Sequence, residues 1–264
     1  MALLPLRPDS QLAESPAKHA QVIIVLPAYN EEQNIGTLLE RIDVAMNAAG
    51  LAYRVIVVDD GSRDRTLEVI DGYARRIQIA ISRHTVNQGL GLTIRDGLLL
   101  ATEAAGTDDI VITMDADDTH EPSLIPRMVR MLREGHDVVI ASRYQRGAQV
   151  VGVSLQRRLF SYGASWLFRI VFPTRGVKDF TCGFRAYRGS VLTSAVSRYG
   201  SHFIEVKGFQ CMVDILLKLR RMGAIFGEAP IILRYDLKRG ESKMPVARTI
   251  RQTLLLLAKR RLGF

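Results

Sequence analysis

A chain of 264 residues with 47% hydrophobic and 24% charged side chains can bury the core of one large α/β domain, a balance that excludes wholesale disorder. Its formal net charge of +9 and pI near 9.8 point to an anionic partner, whether nucleic acid, a nucleotide, a phosphorylated lipid or an anionic membrane surface. Two cysteines, Cys182 and Cys211, exclude a disulfide framework and a paired-cysteine metal site, and they fit a reducing cytosolic setting.

Residues 1–20 hold Pro5, Pro8 and Pro16 without a long apolar core, so they read as a flexible leader and not as a signal peptide. No run reaches the roughly 18–20 apolar residues of a membrane span, so the chain is expected to touch a membrane without crossing it. The run from Val22 to Leu26 is a strand that Pro27 closes, since proline lacks the backbone donor. Ile35, Leu38, Leu39, Ile42 and Met46 then follow helical spacing, with Asn30 as the N-cap. A strand from Tyr53 to Val58 runs into Asp59-Asp60-Gly61-Ser62, and Leu67, Ile70 and Tyr73 mark the next helix.

Ile77 to Ser82 reads as a third strand, followed by the loop Asn87-Gln88-Gly89-Leu90-Gly91 and a helix through Leu98 to Ala105. Ile110 to Thr113 is a short β-branched strand; a helix from Ser123 to Arg133 and a strand from Val138 to Ala141 follow. This alternation predicts an α/β fold with a mostly parallel sheet covered on both faces. From Gly147 to Gly152 the chain is a polar loop. The segment from Leu155 to Phe172 mixes Phe160, Tyr162, Trp166, Phe168 and Phe172 with Arg157, Arg158 and Arg169. As a helix it fits either an anionic lipid interface or the core. A helix from Gln210 to Met222 and a strand from Ile231 to Tyr235 return to the main sheet, and Val246 to Leu262 forms a basic amphipathic helix.

The stretch Asp115-Ala116-Asp117-Asp118-Thr119-His120 leaves the carboxyl end of the Ile110 strand, the edge where open α/β sheets bind ligands. Carboxylates this dense repel one another unless a hard divalent cation lies among them. The bland reading is a solvated acidic turn that caps the following helix. Acidic turns at Glu31 and at Asp59-Asp60 end two further strands, and there a carboxylate can accept from a nucleobase or a ribose, with Tyr29 stacking on the base. Gly89-Leu90-Gly91 is a poor dinucleotide fingerprint, because it lacks the third glycine and does not follow the first strand.

In order, Pro27-Ala28-Tyr29-Asn30-Glu31, Asp59-Asp60-Gly61-Ser62, Asn87-Gln88-Gly89-Leu90-Gly91, Asp115-Ala116-Asp117 and Ser142-Arg143-Tyr144 resemble the family 2 inverting glycosyltransferases. The stretches Asp179-Phe180-Thr181-Cys182-Gly183-Phe184-Arg185 and Gly240-Glu241-Ser242-Lys243 are similar to its dolichyl-phosphate (polyprenyl-phosphate) mannosyltransferase subgroup. The resemblance covers about residues 21–245. It implies a nucleotide-diphospho-sugar transferase (GT-A type) Rossmann-like sheet with a nucleotide-sugar half, about 21–143, and an acceptor half, about 144–245. Residues 246–264 form the terminal basic helix.

The reaction implied moves a sugar, with inversion, from GDP-mannose or a UDP-sugar to a polyprenyl phosphate at the cytoplasmic face of a membrane. By the same resemblance, Pro27, Tyr29, Glu31 and Asp60 line the nucleotide pocket, and Asp115, Ala116 and Asp117 serve the diphosphate. Asp115, Asp117 and Thr119 hold Mg2+ or Mn2+. Thr119 stands where the subgroup commonly has Gln, a stronger neutral ligand. Arg143, Arg157 and Ser161 hold the acceptor phosphate, and Arg239 and Lys243 lie near the donor diphosphate. Asp117, Arg143, Arg157 and Asp179 carry the reaction, with Asp179 positioning. A lipid phosphate is already anionic near neutral pH, so it needs orientation more than a strong base. The competing readings are transfer to a soluble or polysaccharide acceptor, and a basic nucleic-acid-binding module. The second is disfavoured, as no zinc-finger spacing or RNA-binding aromatic signature occurs.

Overall fold

In a computed structural model of the chain, which describes residues 20–237 other than 154, 207 and 209, the run Val22–Ala28 forms strand β1. Val22 to Leu26 are buried in succession. Because neighbouring strand residues point to opposite faces, continuous burial means that both faces of the sheet are covered. Each large aliphatic side chain so buried contributes about 1.5–3 kcal/mol.

Helix α1 (Ile35–Ala48) turns its five periodic residues inward as expected. β2 (Tyr53–Asp59), α2 (Thr66–Tyr73), β3 (Ile79–Arg83), α3 (Leu90–Ala104) and β4 (Ile110–Thr113) follow. A single 3-10 turn leads into α4 (Ile125–Arg133), then come β5 (Val138–Ser142), β6 (Gln149–Val151) and α5 (Leu155–Val171). The described chain closes with β7 (Arg185–Arg188), α6 (Gly189–Tyr199), α7 (Cys211–Arg221), β8 (Phe226–Pro230) and β9 (Ile232–Arg234). Seven strands form one sheet in the order β3-β2-β1-β4-β7-β5-β8. Strands from before and after Arg143 therefore share one sheet. Two groups of helices, α1 with α2 and α4, and α3 with α6 and α7, pack on it.

Several expectations are corrected. Pro27 does not end β1. Even-numbered residues of β1 bond to β2, as Val22 N–H to Ala52 O shows, and odd-numbered ones bond to β4, as Met114 N–H to Val25 O shows. Pro27 belongs to the odd set, one step past the last β4 pair, so its missing donor breaks no ladder. Asn30 is not the helix cap: the cap position is Asn34, four residues later, and Asn30 takes a left-handed φ of 52°. The segment from Gly147 to Gly152 is not simply a loop, since it holds β6. The strand expected from Ile231 to Tyr235 does not rejoin the main sheet; β9 pairs with β6 in a separate two-stranded sheet, and β8 takes the main-sheet place beside β5. β7 runs antiparallel between β4 and β5. The leader and the helix expected over 246–264 lie outside the described residues.

Candidate active site

Register places the chemistry along one edge. Ala28 pairs with Asp59, Val25 with Thr113, and Ser142 with Pro230, so Tyr29, Asp60, Asp115 and Arg143 all leave the sheet at the carboxyl end of its parallel strands. The antiparallel β7 enters at that same edge, bringing the 179–184 loop there. Strand order reverses between β1 and β4, which opens a crevice between Tyr29 and Asp115.

On the β1–β2 side, the two loops are laced together. Asn30 N–H donates to Ser62 Oγ, and Arg63 N–H returns a bond to Asn30 Oδ1, both at 2.8 Å. Glu31 is buried: its N–H donates to Thr66 Oγ1, and its Oε2 accepts from Asn34 Nδ2 at 2.8 Å. Asp60 is 3% exposed. Its Oδ1 accepts from Gln88 N–H at 2.7 Å and faces His84 Nδ1 at 2.7 Å, while Oδ2 accepts from Gly89 N–H at 2.9 Å. Gly89 has a φ of 94°, a conformation that favours glycine and aims its N–H back at Asp60. Three of the roughly four acceptor positions of a carboxylate are thus occupied within the protein.

The acidic loop after β4 separates its own carboxylates. Asp118, with a φ of 58°, turns away and pairs with Arg41 of α1, which also binds Glu121. Burial lifts the Asp118 carboxyl above its ordinary value despite Arg41, and Glu121 and Asp117 add to the effect. Asp117 Oδ1 accepts from the Thr119 hydroxyl at 2.7 Å and from Thr119 N–H at 3.2 Å. His120 Nδ1 accepts from Asp115 N–H at 3.2 Å, which leaves the proton of a neutral ring on Nε2. Ala116 is buried beneath this loop. A Cβ added to Gly183 would stand 3.0 Å from Asp115 Oδ1, so the absent side chain makes room for that carboxylate.

The residues fit a hard divalent ion in their donor chemistry. Asp115 and Asp117 offer two carboxylates, and the Thr119 hydroxyl steers one of them. Among the described residues no group of three or more His, Cys, Asp and Glu is assembled for a metal. Such an ion would complete its shell with phosphate oxygens, the usual habit of Mg2+.

Across the crevice, Arg143 donates from Nε to Asp179 Oδ2 at 2.8 Å and from Nη2 to Asp179 Oδ1 at 2.7 Å. Asp179 is fully buried and also accepts from the N–H groups of Arg143, Thr181 and Cys182. Burial by itself would raise the Asp179 carboxyl, but the guanidinium and these donors outweigh it and hold it below the ordinary carboxylate value. For Arg143, burial acts to lower the guanidinium, and Asp179 more than reverses it. Beneath the pair, Glu228 Oε1 accepts from Lys178 N–H and Asp179 N–H. The next residue, Tyr144, donates to Ser161 O at 2.8 Å and shares a 2.6 Å bond with Ser161 Oγ, which ties α5 to the Arg143 loop. Arg157 precedes Ser161 by four residues in α5. Its side chain, and all of Arg239 and Lys243, lie outside the described parts of the structure.

The aromatic segment is partly core and partly exposed. Phe168 and Phe172 are core, and Phe168 stacks on Phe180, whereas Tyr162, Trp166 and Ile170 are 51%, 65% and 54% exposed. At four-residue spacing these three form one stripe along α5.

Sequence reading did not single out Arg41, His84, Tyr144, Gly183 and Glu228. Tyr144 and Gly183 lay inside quoted motifs, but nothing local in the sequence marks the other three, because their partners are distant along the chain, as Arg41 is 77 residues from Asp118.

The glycosyl transferase family 2 model matches residues 23–194. The dolichol-phosphate mannosyltransferase of Pyrococcus furiosus is 34% identical over 225 residues, 85% of this chain and 59% of that protein. The undecaprenyl-phosphate mannosyltransferase of Micrococcus luteus is 31% identical over 225 residues, 85% of this chain and 87% of the relative. An undecaprenyl-phosphate 4-deoxy-4-formamido-L-arabinose transferase of Pseudomonas paraeruginosa is 32% identical, over 70% of this chain and 52% of its own length. The chain thus spans little more than half of two of these relatives. Among solved structures, glucosyl-3-phosphoglycerate synthase of Mycobacterium tuberculosis, bound to Mn2+, UDP and glucosyl-3-phosphoglycerate, aligns with a TM-score of 0.64 at 22% identity. That alignment covers 93% of this chain and 81% of that one, a likeness of fold.

Proposed function

The chain belongs to glycosyl transferase family 2, and from that premise we propose that it transfers a hexosyl unit, with inversion, from a nucleoside-diphosphate sugar to a polyprenyl phosphate. The observation that carries the acceptor assignment is the Arg143 fork, held at two points by Asp179 and tied through Tyr144 to Ser161. A planar guanidinium fixed in this way suits a phosphate monoester, and Arg157, four residues before Ser161 in the sequence, is the second acceptor cation by resemblance.

The nucleoside lies against Pro27, Tyr29, Glu31 and Asp60, in the crevice where strand order reverses. Asp115 and Asp117 face the diphosphate with Ala116 between them, and they would hold Mg2+ or Mn2+, whose charge stabilises the leaving diphosphate. Thr119 orients Asp117 through its hydroxyl and is the weakest of the three expected ligands. Arg239 and Lys243 complete the donor side by resemblance. Asp179 aims Arg143; buried and ion-paired, it takes no proton from the acceptor. The acceptor phosphate attacks the anomeric carbon from the Arg143 side as the diphosphate leaves on the acidic-loop side, which accounts for inversion.

No described helix is long and apolar enough to cross a membrane. The stripe of Tyr162, Trp166 and Ile170 on the helix that carries Ser161 gives the acceptor side an apolar face with Arg169 beside it, suited to the cytoplasmic surface of an anionic membrane. Purified protein assayed with GDP-mannose, UDP-glucose and UDP-GlcNAc, each with and without polyprenyl phosphate and Mn2+, is expected to form glycolipid from one donor only when lipid and metal are both present. Glycolipid from none of the donors refutes the proposal.

A further inference from the structure

We infer that His84 and Asp96 are positioning residues for nucleotide binding, fixing the remaining acceptor position of Asp60 toward the nucleoside; the inference rests on the nucleotide-sugar reading above. His84 is buried between two carboxylates, with Nδ1 2.7 Å from Asp60 Oδ1 and Nε2 3.0 Å from Asp96 Oδ2. Held at both nitrogens, the ring cannot turn without losing one partner. Asp96 is gripped in turn by Arg95 Nε at 2.8 Å. It lies on α3, whose next residue, Gly97, packs so tightly that an added Cβ would come 2.4 Å from Val25 Cγ1. A continuous rigid path therefore runs from the sheet through α3, Asp96 and His84 to Asp60 at the crevice.

Asp60 alone could rotate about its side chain. With His84, Gln88 N–H and Gly89 N–H on three of its acceptor positions, one direction is left. The same bonds close the 84–89 loop against the end of β2. Removing the His84 side chain leaves Asp60 Oδ1 with Gln88 N–H as its one remaining partner here, so a second acceptor direction opens and the carboxylate is held less firmly, which weakens nucleoside binding. The diphosphate and acceptor sides hang on the β4 and β5 loops and are left in place. The expected signature is a rise in KM for the donor without a matching fall in kcat.

The test compares wild type with His84→Ala, Asp96→Ala, His84→Asn and His84→Gln, by calorimetric binding of UDP and GDP with Mn2+ and by donor kinetics. Asn carries an amide N–H near the position of Nδ1 and can still donate to Asp60, whereas Gln reaches only toward Asp96. His84→Ala, Asp96→Ala and His84→Gln are expected to bind the nucleotide about ten-fold more weakly with kcat within about two-fold of wild type, and His84→Asn to recover most of the loss. Unchanged affinity in His84→Ala, or equal losses in the Asn and Gln variants, overturns the inference. If His84→Ala does not fold, the Asn–Gln pair decides alone. Wild type that binds neither UDP nor GDP refutes the nucleotide-sugar reading itself and this inference with it.

Discussion

Asp179 holds Arg143 by both carboxylate oxygens, at 2.8 and 2.7 Å, with the carboxylate fully buried and the guanidinium edge at the crevice. Replacing Asp179 with Asn removes the charge while nearly keeping the shape, and leaves the half-buried guanidinium without its counter-ion. The loss of stability is expected to be about 3–5 kcal/mol, read from urea unfolding, with a higher KM for the lipid phosphate. Stability and acceptor KM both unchanged would show that the pair does not position Arg143.

The same carboxyl gives a pH signature. Its folded value lies below its unfolded one, so its stabilisation is complete above the ordinary carboxylate range of about pH 4 and is lost as pH falls through the depressed value. Wild type should therefore lose unfolding free energy below about pH 4 more steeply than Asp179→Asn. Parallel pH profiles would contradict the ion pair's part in acid stability.

Asp117→Asn is expected to cut kcat by about 100-fold or more while leaving the melting temperature nearly unchanged, because the side chain supplies charge at a cleft and not packing. The neutral amide still accepts from the Thr119 hydroxyl, so the loop keeps its shape. Near-normal turnover would remove Asp117 from the metal and diphosphate assignment.

Gly183→Ala tests the seat of Asp115. The added methyl would stand 3.0 Å from Asp115 Oδ1, closer than an ordinary van der Waals contact, so the carboxylate must yield. The Mn2+ concentration for half-maximal activity is expected to rise several-fold, with a small change in thermal stability. An unchanged metal dependence would show that Asp115 has room to move without consequence.

Tyr162, Trp166 and Ile170 changed together to Asp should abolish sedimentation with vesicles containing anionic phospholipid. The fold should hold, since all three side chains are more than half exposed. If the triple variant still binds vesicles, the stripe on α5 is not the membrane contact.

The sequence by itself determined the alternation of apolar strands with amphipathic helices, and it placed carboxylates at the ends of β1, β2 and β4. Those features are local: burial demands continuous apolar runs, and a strand's last residues are set by where its run stops. The antiparallel β7 escaped because Arg185-Ala186-Tyr187-Arg188 is short and shows no apolar run; its fully buried Arg185 lies inside the protein by donating to the carbonyls of Phe180, Cys182 and Met212. Only the tertiary structure decided which acidic groups face a ligand and which serve the fold. Asp118 is taken by Arg41, most of Asp60 by the 84–89 loop, and Asp179 by Arg143, across separations of 77, 28 and 36 residues. A carboxylate has few acceptor positions, and which remain open depends on donors that arrive from elsewhere in the chain.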